Sequence, residues 1–437
     1  MNDIYNKINL NKPLKYILIY YILSFVLFLW GPIKYYNLKV LPLIAYLITF
    51  IFFIYSSYKL SNKSIIKYES KEIYENDIIK LLQKLLTIML ILQIIQYLQW
   101  APIAKQSSIF NAFVNMAEVY NQDRTLESGL PFMSKVLTFS GVLTRSVLVL
   151  GFYYFEKFTR INKIKYIFYV LIIISYNLMF TGSVKLFGDL FIYFICLVMI
   201  KDEIYHTKKI LTVGVLLFTI FILIFGYSQY SRMDLNDWAG GKFLYPAYLN
   251  ENFFTYKIFD SRIAKTITMM IFYLSHGYYG LSLCLGLPFQ WTFGVGSSFG
   301  LSSIFYTYFH TNNYMLTTYP IRMQIQTGWP ALEYWSTIFT WLASDMTFLG
   351  AILFLSILIF IWAKSWREAI VFKNPLSIVL FCNLGILWIF VPQNNQLMQT
   401  LESTVATILL VLIWLIFHKY FNNIKEVNKE KSIDANK

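Results

Sequence analysis

KIFDSRIAKTITMMIFYLSHGYYGLSLCLGLPFQWTFGVGSSFG, residues 257–300, interleaves charge, glycine and aromatic rings with stretches apolar enough to enter a bilayer. FHTNN at 309–313, YPIRMQIQTGW at 319–329 and WLASD at 341–345 continue the same polar texture. On both sides the chain is dominated by long apolar runs. How often residues 257–345 cross a membrane therefore sets which way every later run points.

With 437 residues, 57% of them hydrophobic and only 14% charged, the chain is too apolar for a soluble globular protein of its length. Several runs of about 20 apolar residues can each cross roughly 30 Å of hydrocarbon. The expected fold class is all-α, a polytopic membrane protein forming a single integral-membrane domain over 1–437. About 12 spans are expected: 14–30, 40–58, 85–103, 132–155, 166–181, 184–200, 210–227, 266–285, a weaker 288–309, 338–363, 375–390 and 397–417. The apolar run at 14–30 is expected to be a retained helix, since no small-residue cleavage site follows it.

The formal charge is +14, but Lys and Arg cluster in short segments between apolar runs, where topology and lipid headgroups account for them and nucleic-acid binding does not. Basic residues before the first span, between the second and third, after the fourth and after the sixth all fall on one side, the cytoplasm. The connector with Lys364, Arg367 and Lys373 and the tail with Lys419 and Lys425 belong there too, so both termini are expected to be cytoplasmic. This requires 266–309 to cross an even number of times, as two spans or as a re-entrant hairpin. Segments 228–265 and 310–337 then face outward. Residues 59–84 suggest a cytoplasmic amphipathic connector, and 422–437 a disordered tail. Cys196, Cys284 and Cys382 each lie inside an apolar run and suggest neither disulfides nor a zinc site.

Ionisable groups in or beside a bilayer are costly and mark function more often than surface charges do. Arg145 lies inside the fourth span with no carboxylate in that span. Lys185 and Asp189, four residues apart, would share a helix face and neutralise each other. Arg232, Arg262 and Arg322 fall on the outward side near span ends, where a planar guanidinium matches phosphate oxygens two at a time. Trp238, Tyr245, Tyr248 and Tyr256 suit the C–H faces of sugar rings, or else an interfacial aromatic belt. His276, with Gly277 and Gly280 beside it, is the first candidate for a general base, and His310 the second. His206 and His418 fall on the cytoplasmic side and are set aside. Asp345 and Glu333, at the outward start of the tenth span, could orient a histidine, bind an acceptor hydroxyl or pair with an arginine. No nucleotide-binding loop, zinc spacing or nucleophile elbow is present, so the chemistry is expected to use a pre-activated donor.

YLSHGYYGLSLCLGLPF at 273–289, YPIRMQIQTGW at 319–329 and FTWLASDMTFLGAI at 339–352 together resemble the oligosaccharide repeat unit polymerases, the O-antigen polymerase (Wzy) family. The resemblance covers about 266–351, and the first half of the chain is similar in character only. Where that pattern often has Gln before its GYYG-like stretch, this chain has His276. The resemblance implies a C-type glycosyltransferase-like bundle in the bacterial inner membrane, joining undecaprenyl-diphosphate-linked repeat units at the periplasmic face without metal or cofactor. It implies that Arg262 and Arg322 neutralise the departing diphosphate and that Arg232 contacts donor phosphate or glycan. The acceptor base stays open between His276 and Asp345. Lys265, Tyr278, Tyr279, Trp329, Glu333 and Arg145 complete the expected substrate-binding set. Expected partners are the lipid-linked oligosaccharide, membrane lipids and a chain-length regulator protein, with no nucleic acid. An O-antigen ligase and a flippase or transporter for the same lipid-linked oligosaccharide are the alternatives.

Overall fold

A computed structural model describes residues 9–63, 73–101, 108–115, 119, 136–137, 139–182, 185–205, 216, 219–220, 222–228, 246–309, 313–421 and 424–425. Among these residues the protein is helical, and its strands are no more than three residues long. Among the described residues, five helices are long and apolar enough to cross a membrane: α1 (Lys12–Trp30), α2 (Val40–Lys63), α3 (Glu75–Trp100), Arg160–Thr181 and Ile338–Phe372. Shorter apolar helices cover Gly141–Tyr153, Pro375–Phe390 and Leu401–Phe417.

These helices are apolar on their outward faces as well as their inward ones, and several of their polar side chains turn inward. α1 buries Pro13, Leu14, Ile17, Tyr21, Ser24 and Phe28, one stripe at helical spacing. Its other faces present Ile19, Ile22, Leu23 and Val26, with Ile22 59% exposed. On α2, Leu41 is 78% exposed while Ser61 is fully buried. Apolar surface outside and polar groups inside is the arrangement that a hydrocarbon solvent favours. Several inward polar groups bond one another or backbone carbonyls. Tyr21 Oη donates to Trp388 O at 2.7 Å, Ser61 Oγ to Phe360 O at 2.9 Å, and Ser24 Oγ lies 2.9 Å from Tyr278 Oη. α3 takes in residues 75–84 as its own first turns, so the second half of the expected amphipathic connector is continuous with the third span.

The chain divides into two compact units, each assembled from separated segments: 1–63, 222–363 and 386–404 form one, and 64–221, 364–385 and 405–437 the other. In the second unit α3 packs against the helices Gly141–Tyr153 and Arg160–Tyr176. Those two helices also touch each other: Tyr166 donates from Oη to Leu148 O at 2.7 Å with its ring lying over Gly151. A two-residue parallel bridge joins Ile73–Tyr74 to Ile424–Lys425.

In the first unit a short antiparallel ladder pairs Ile33–Tyr35 with Ala247–Leu249. Asp260 then caps Ser261–Ser275, its carboxylate accepting from the backbone N–H of Arg262 (2.9 Å) and Ile263 (3.2 Å). His276 joins this helix to Gly277–Cys284, a combined run of about 36 Å at 1.5 Å per residue. Glycine is required at 277 because a Cβ there would meet the Pro392 carbonyl and the Gln393 backbone. The expected ninth span, 288–309, is not one helix. Residues 285–298 form a loop, and only Phe299–Phe309 is helical, about 16 Å long. The long helix Ile338–Phe372 is itself broken, with non-helical backbone at Met346 (φ −137°) and Thr347 (φ 67°).

Candidate functional site

The break after Asp345 and the loop 285–298 are two halves of one construction within the first unit. Where the helix Ile338–Asp345 stops, its last carbonyls lose their intrahelical partners. Ser344 O accepts from the Thr292 backbone N–H (3.2 Å), and Thr292 Oγ1 lies 2.8 Å from it, its one proton shared with the Asp345 carboxylate. The Asp345 carboxylate, at the negative end of that helix dipole, needs donors even more. It takes them all from the loop. Oδ1 accepts from Thr292 Oγ1, from Gly294 N at 2.9 Å and from Gly296 N at 3.1 Å, and Oδ2 accepts from Ser297 N at 2.7 Å. Successive backbone N–H groups of this kind make a nest suited to an external anion. Here the chain's own carboxylate fills it.

This clamp stores backbone strain on both sides. Thr347, just past the carboxylate, has φ 67°, and Phe293, inside the clamped loop, has φ 55°. A β-branched residue and a bulky aromatic both disfavour that left-handed region. Gly294, at φ 83°, follows where only glycine adopts the angle freely. Strain held by surrounding bonds gathers at functional sites, and its presence directs attention to this loop.

Arg322 holds the other end of the loop. It sits in Tyr319–Thr327, a helix opened by Pro320 and closed by Gly328 in the left-handed region. Its Nη1 donates to Pro288 O at 2.9 Å and its Nε to Thr317 O at 2.9 Å, while the guanidinium lies 4.8 Å over the Tyr319 ring. Nη2 is buried without a hydrogen-bond partner. The positive charge is thus fixed in place with one donor group uncommitted. Tyr319 N donates to Ser344 Oγ at 3.0 Å, which ties the Arg322 helix to the broken helix.

A third segment grips the loop that sequence reasoning passed over. PQNNQLMQT, residues 392–400, joins two very apolar helices, and its Gln393, Asn394, Asn395 and Gln396 are all buried. Asn395 Nδ2 donates to Ser297 O at 2.7 Å, Gly300 N donates to Gln399 O at 3.2 Å, and Ser298 Oγ lies 2.8 Å from Thr404 Oγ1. Asn395 Oδ1 and Gln399 Nε2 are buried without partners. A run of amides between two apolar helices was the available signal, because buried amides are kept only where something needs their hydrogen bonds.

The remaining expected site residues lie elsewhere. His276 is 1% exposed. Its Nδ1 lies 2.7 Å from Phe272 O and its ring stacks on Phe272, with Nε2 buried and unpartnered. Tyr278 and Tyr279 are core residues bonded to α1 and to the ladder. Tyr279 Oη donates to Tyr36 O at 2.8 Å, and its ring meets Trp329 edge-on at 4.9 Å. Trp329 is fully buried beside Phe272 and Tyr334. Phe272, Tyr279, Trp329 and Tyr334 form an aromatic core rather than a surface open to ligand. Glu333 and Arg262 are exposed and Lys265 half-exposed. Arg145 belongs to the other unit, where it is 8% exposed and donates from Nη1 to Thr407 Oγ1 at 3.4 Å. Arg232, Trp238, Tyr245 and His310 lie outside the described residues. Among the described residues no group of three His, Cys, Asp or Glu side chains could hold a metal ion.

The second unit contains a buried polar cluster around His418, one of the two histidines that the sequence reading sets aside. Glu368 is fully buried; its Oε2 accepts from Ser377 Oγ at 2.6 Å, and Ser377 Oγ accepts from Trp414 Nε1 at 2.8 Å. His418 stacks on Trp414 with Nδ1 2.7 Å from Trp414 O, while Lys364 Nζ lies 3.1 Å from Nε2. Lys364 is a donor only, so Nε2 accepts and the imidazole is neutral; its 3.7 Å approach to Glu368 Oε1 is therefore not an ion pair. Burial and then Lys364 lower the His418 pKa, with Lys419 adding to this.

Two outcomes follow from these clamps. Asp345→Ala removes the acceptor of the Gly294, Gly296 and Ser297 N–H groups, while the Thr292 hydroxyl keeps Ser344 O. It is expected to cost at least about 2–3 kcal/mol in thermal unfolding and to open residues 286–298 to limited proteolysis, with Asp345→Asn intermediate. For His418, the unfolded chain binds the proton more readily than the folded one. Stability is therefore full above about pH 6.5 and is lost as pH falls through the lower folded-state value. Melting curves of the purified protein between about pH 8 and about pH 5 should show that loss, and His418→Gln should flatten it.

Compared with protein-family models, with curated proteins and with solved structures, the chain has no match in any of the three.

Proposed function

We propose that the chain is a membrane glycosyltransferase that polymerises undecaprenyl-diphosphate-linked oligosaccharide repeat units, with Arg322 supplying fixed positive charge to the departing carrier diphosphate. The observation that carries this reading is convergence. The three stretches that resemble the repeat unit polymerases, 273–289, 319–329 and 339–352, meet around one clamped loop, through Arg322 to Pro288, Tyr319 to Ser344, and the Thr292 contacts to Ser344 and Asp345.

In the proposed reaction an acceptor hydroxyl oxygen bonds to the anomeric carbon of the donor repeat unit as the carbon–oxygen bond to the diphosphate breaks. The hydroxyl proton is released and the diphosphate leaves with the electron pair. Negative charge grows on the leaving group, and a guanidinium already oriented by two backbone carbonyls pays no reorganisation as that happens. Holding two lipid-anchored sugars together supplies the rest of the acceleration by proximity. Neither candidate base suits deprotonation where it sits. Both Asp345 oxygens are occupied by loop donors, and His276 is enclosed by aromatic rings.

The proposal includes the topology: segments 228–265 and 310–337 on the outer face, termini inside, and 266–309 as a hairpin whose second arm is the short helix Phe299–Phe309. In that topology single cysteines introduced at Tyr256 and Thr317 react with a membrane-impermeant maleimide on intact cells; protection of both would reverse it.

Arg322→Ala is expected to abolish polymer while the protein stays in the membrane, and to cut carrier diphosphate release from lipid-linked repeats by about 100-fold or more. Arg322→Lys should not restore it, since an ammonium cannot reach Pro288 O and a phosphate in one plane. Polymer of normal length in Arg322→Ala membranes would remove Arg322 from the chemistry.

A further inference from the structure

The outward side of the clamped loop carries a row of aromatic rings. Trp291 and Phe293 are 56% and 57% exposed, while Thr292 between them is fully buried against Ser344 and Asp345. The Trp291 and Phe293 rings lie 4.5 Å apart at an interplanar angle of 32°, and Phe293 lies 5.0 Å from Tyr314 at 47°. Each inward bond of Thr292 therefore fixes the direction of the two rings beside it.

Two occupants suit exposed aromatic rings on a membrane protein: the headgroup region of the bilayer and the C–H face of a sugar ring. An interfacial belt works by partitioning, and rings in it need no fixed relative orientation. This row is fixed. Phe293 is held at φ 55°, a conformation that costs free energy for a bulky residue, and four hydrogen bonds to one carboxylate keep it there. Offset rings held rigidly present flat, preorganised faces, and preorganisation helps a ligand with a defined shape far more than it helps fluid lipid.

The geometry points to Trp291, Phe293 and Tyr314 as a stacking platform for pyranose rings of an oligosaccharide, set on the loop that Arg322 and Asp345 hold. This rests on the glycosyltransferase reading for the class of ligand and adds to it a glycan subsite distinct from the diphosphate contact.

The test uses full-length protein in phospholipid nanodiscs, with maltohexaose and chitohexaose as neutral and N-acetylated probes that carry no diphosphate. Saturation-transfer NMR should show transfer from protein to sugar ring protons in the wild type. Trp291→Leu should reduce it at least about fivefold and Trp291→Phe should retain most of it, because leucine preserves apolar anchoring and removes only the ring face. Phe293→Leu should behave like Trp291→Leu. Melting temperatures of the same samples separate lost binding from lost folding. The platform is overturned if neither sugar receives transfer in the wild type, or if both leucine variants bind as the wild type does. It is also overturned if Trp291→Phe and Trp291→Leu fall together with retained folding, which means that a ring face is not what the sugar uses. Diphosphate release in Arg322→Ala bears on the transferase reading alone, so the two can fail separately.

Discussion

The carboxylate of Asp345 is the interaction on which the broken helix and the 285–298 loop of the first unit depend. A negative charge at the C-terminal end of a helix is opposed by the dipole, and a helix broken in an apolar surrounding leaves carbonyls that water does not reach. Both costs are offset by one loop, which donates three backbone N–H groups to the carboxylate and the Thr292 N–H to Ser344 O, the one Thr292 hydroxyl proton being shared between those two acceptors. The loop in turn has no regular secondary structure of its own, so without that acceptor its backbone donors would be unpaired. Helix break and loop stabilise each other.

Much of the helical framework was legible from apolar runs. α1 and the helices Pro375–Phe390 and Leu401–Phe417 fall within a few residues of the expected spans, because nothing but a helix can satisfy the backbone of such a run in hydrocarbon. Residues 288–309 were not legible in the same way. Hydropathy counts Trp291, Phe293 and Val295 as span-forming, but the pattern FGVG carries the positive φ angles of a loop, and what holds that loop is a carboxylate some 50 positions later in the chain. Periodicity reports local structure, and this contact is long-range.

The same limit applied to side chains. Polarity drew attention to Arg322 and Asp345, but polarity does not show whether a group faces a ligand or its own backbone. Asp345 turned out to hold protein donors. Tyr278, Tyr279 and Trp329 turned out to be core, since an aromatic at a helix end has the same letter whether it meets lipid, sugar or another ring. The amides of 393–396 went the other way: they look like a short connector in sequence, and in the fold they are buried against the loop. Histidine gave a further lesson. His276 and His418 each point Nδ1 at the carbonyl of an aromatic residue four positions earlier and stack on that ring, so a local helix-end arrangement explains both without reference to catalysis.

The helix Phe299–Phe309 is about half the hydrocarbon thickness of a bilayer. A lipid beside a full-length span meets apolar protein along both its leaflets. Beside this helix, hydrophobic mismatch confines the match to one leaflet, and the other must thin or be covered by neighbouring protein. On the proposed topology the surrounding membrane is therefore asymmetric in depth at this point. An amphiphile anchored in the matched leaflet comes alongside the Trp291–Phe293 loop by lateral diffusion, without leaving the plane in which its tail is solvated.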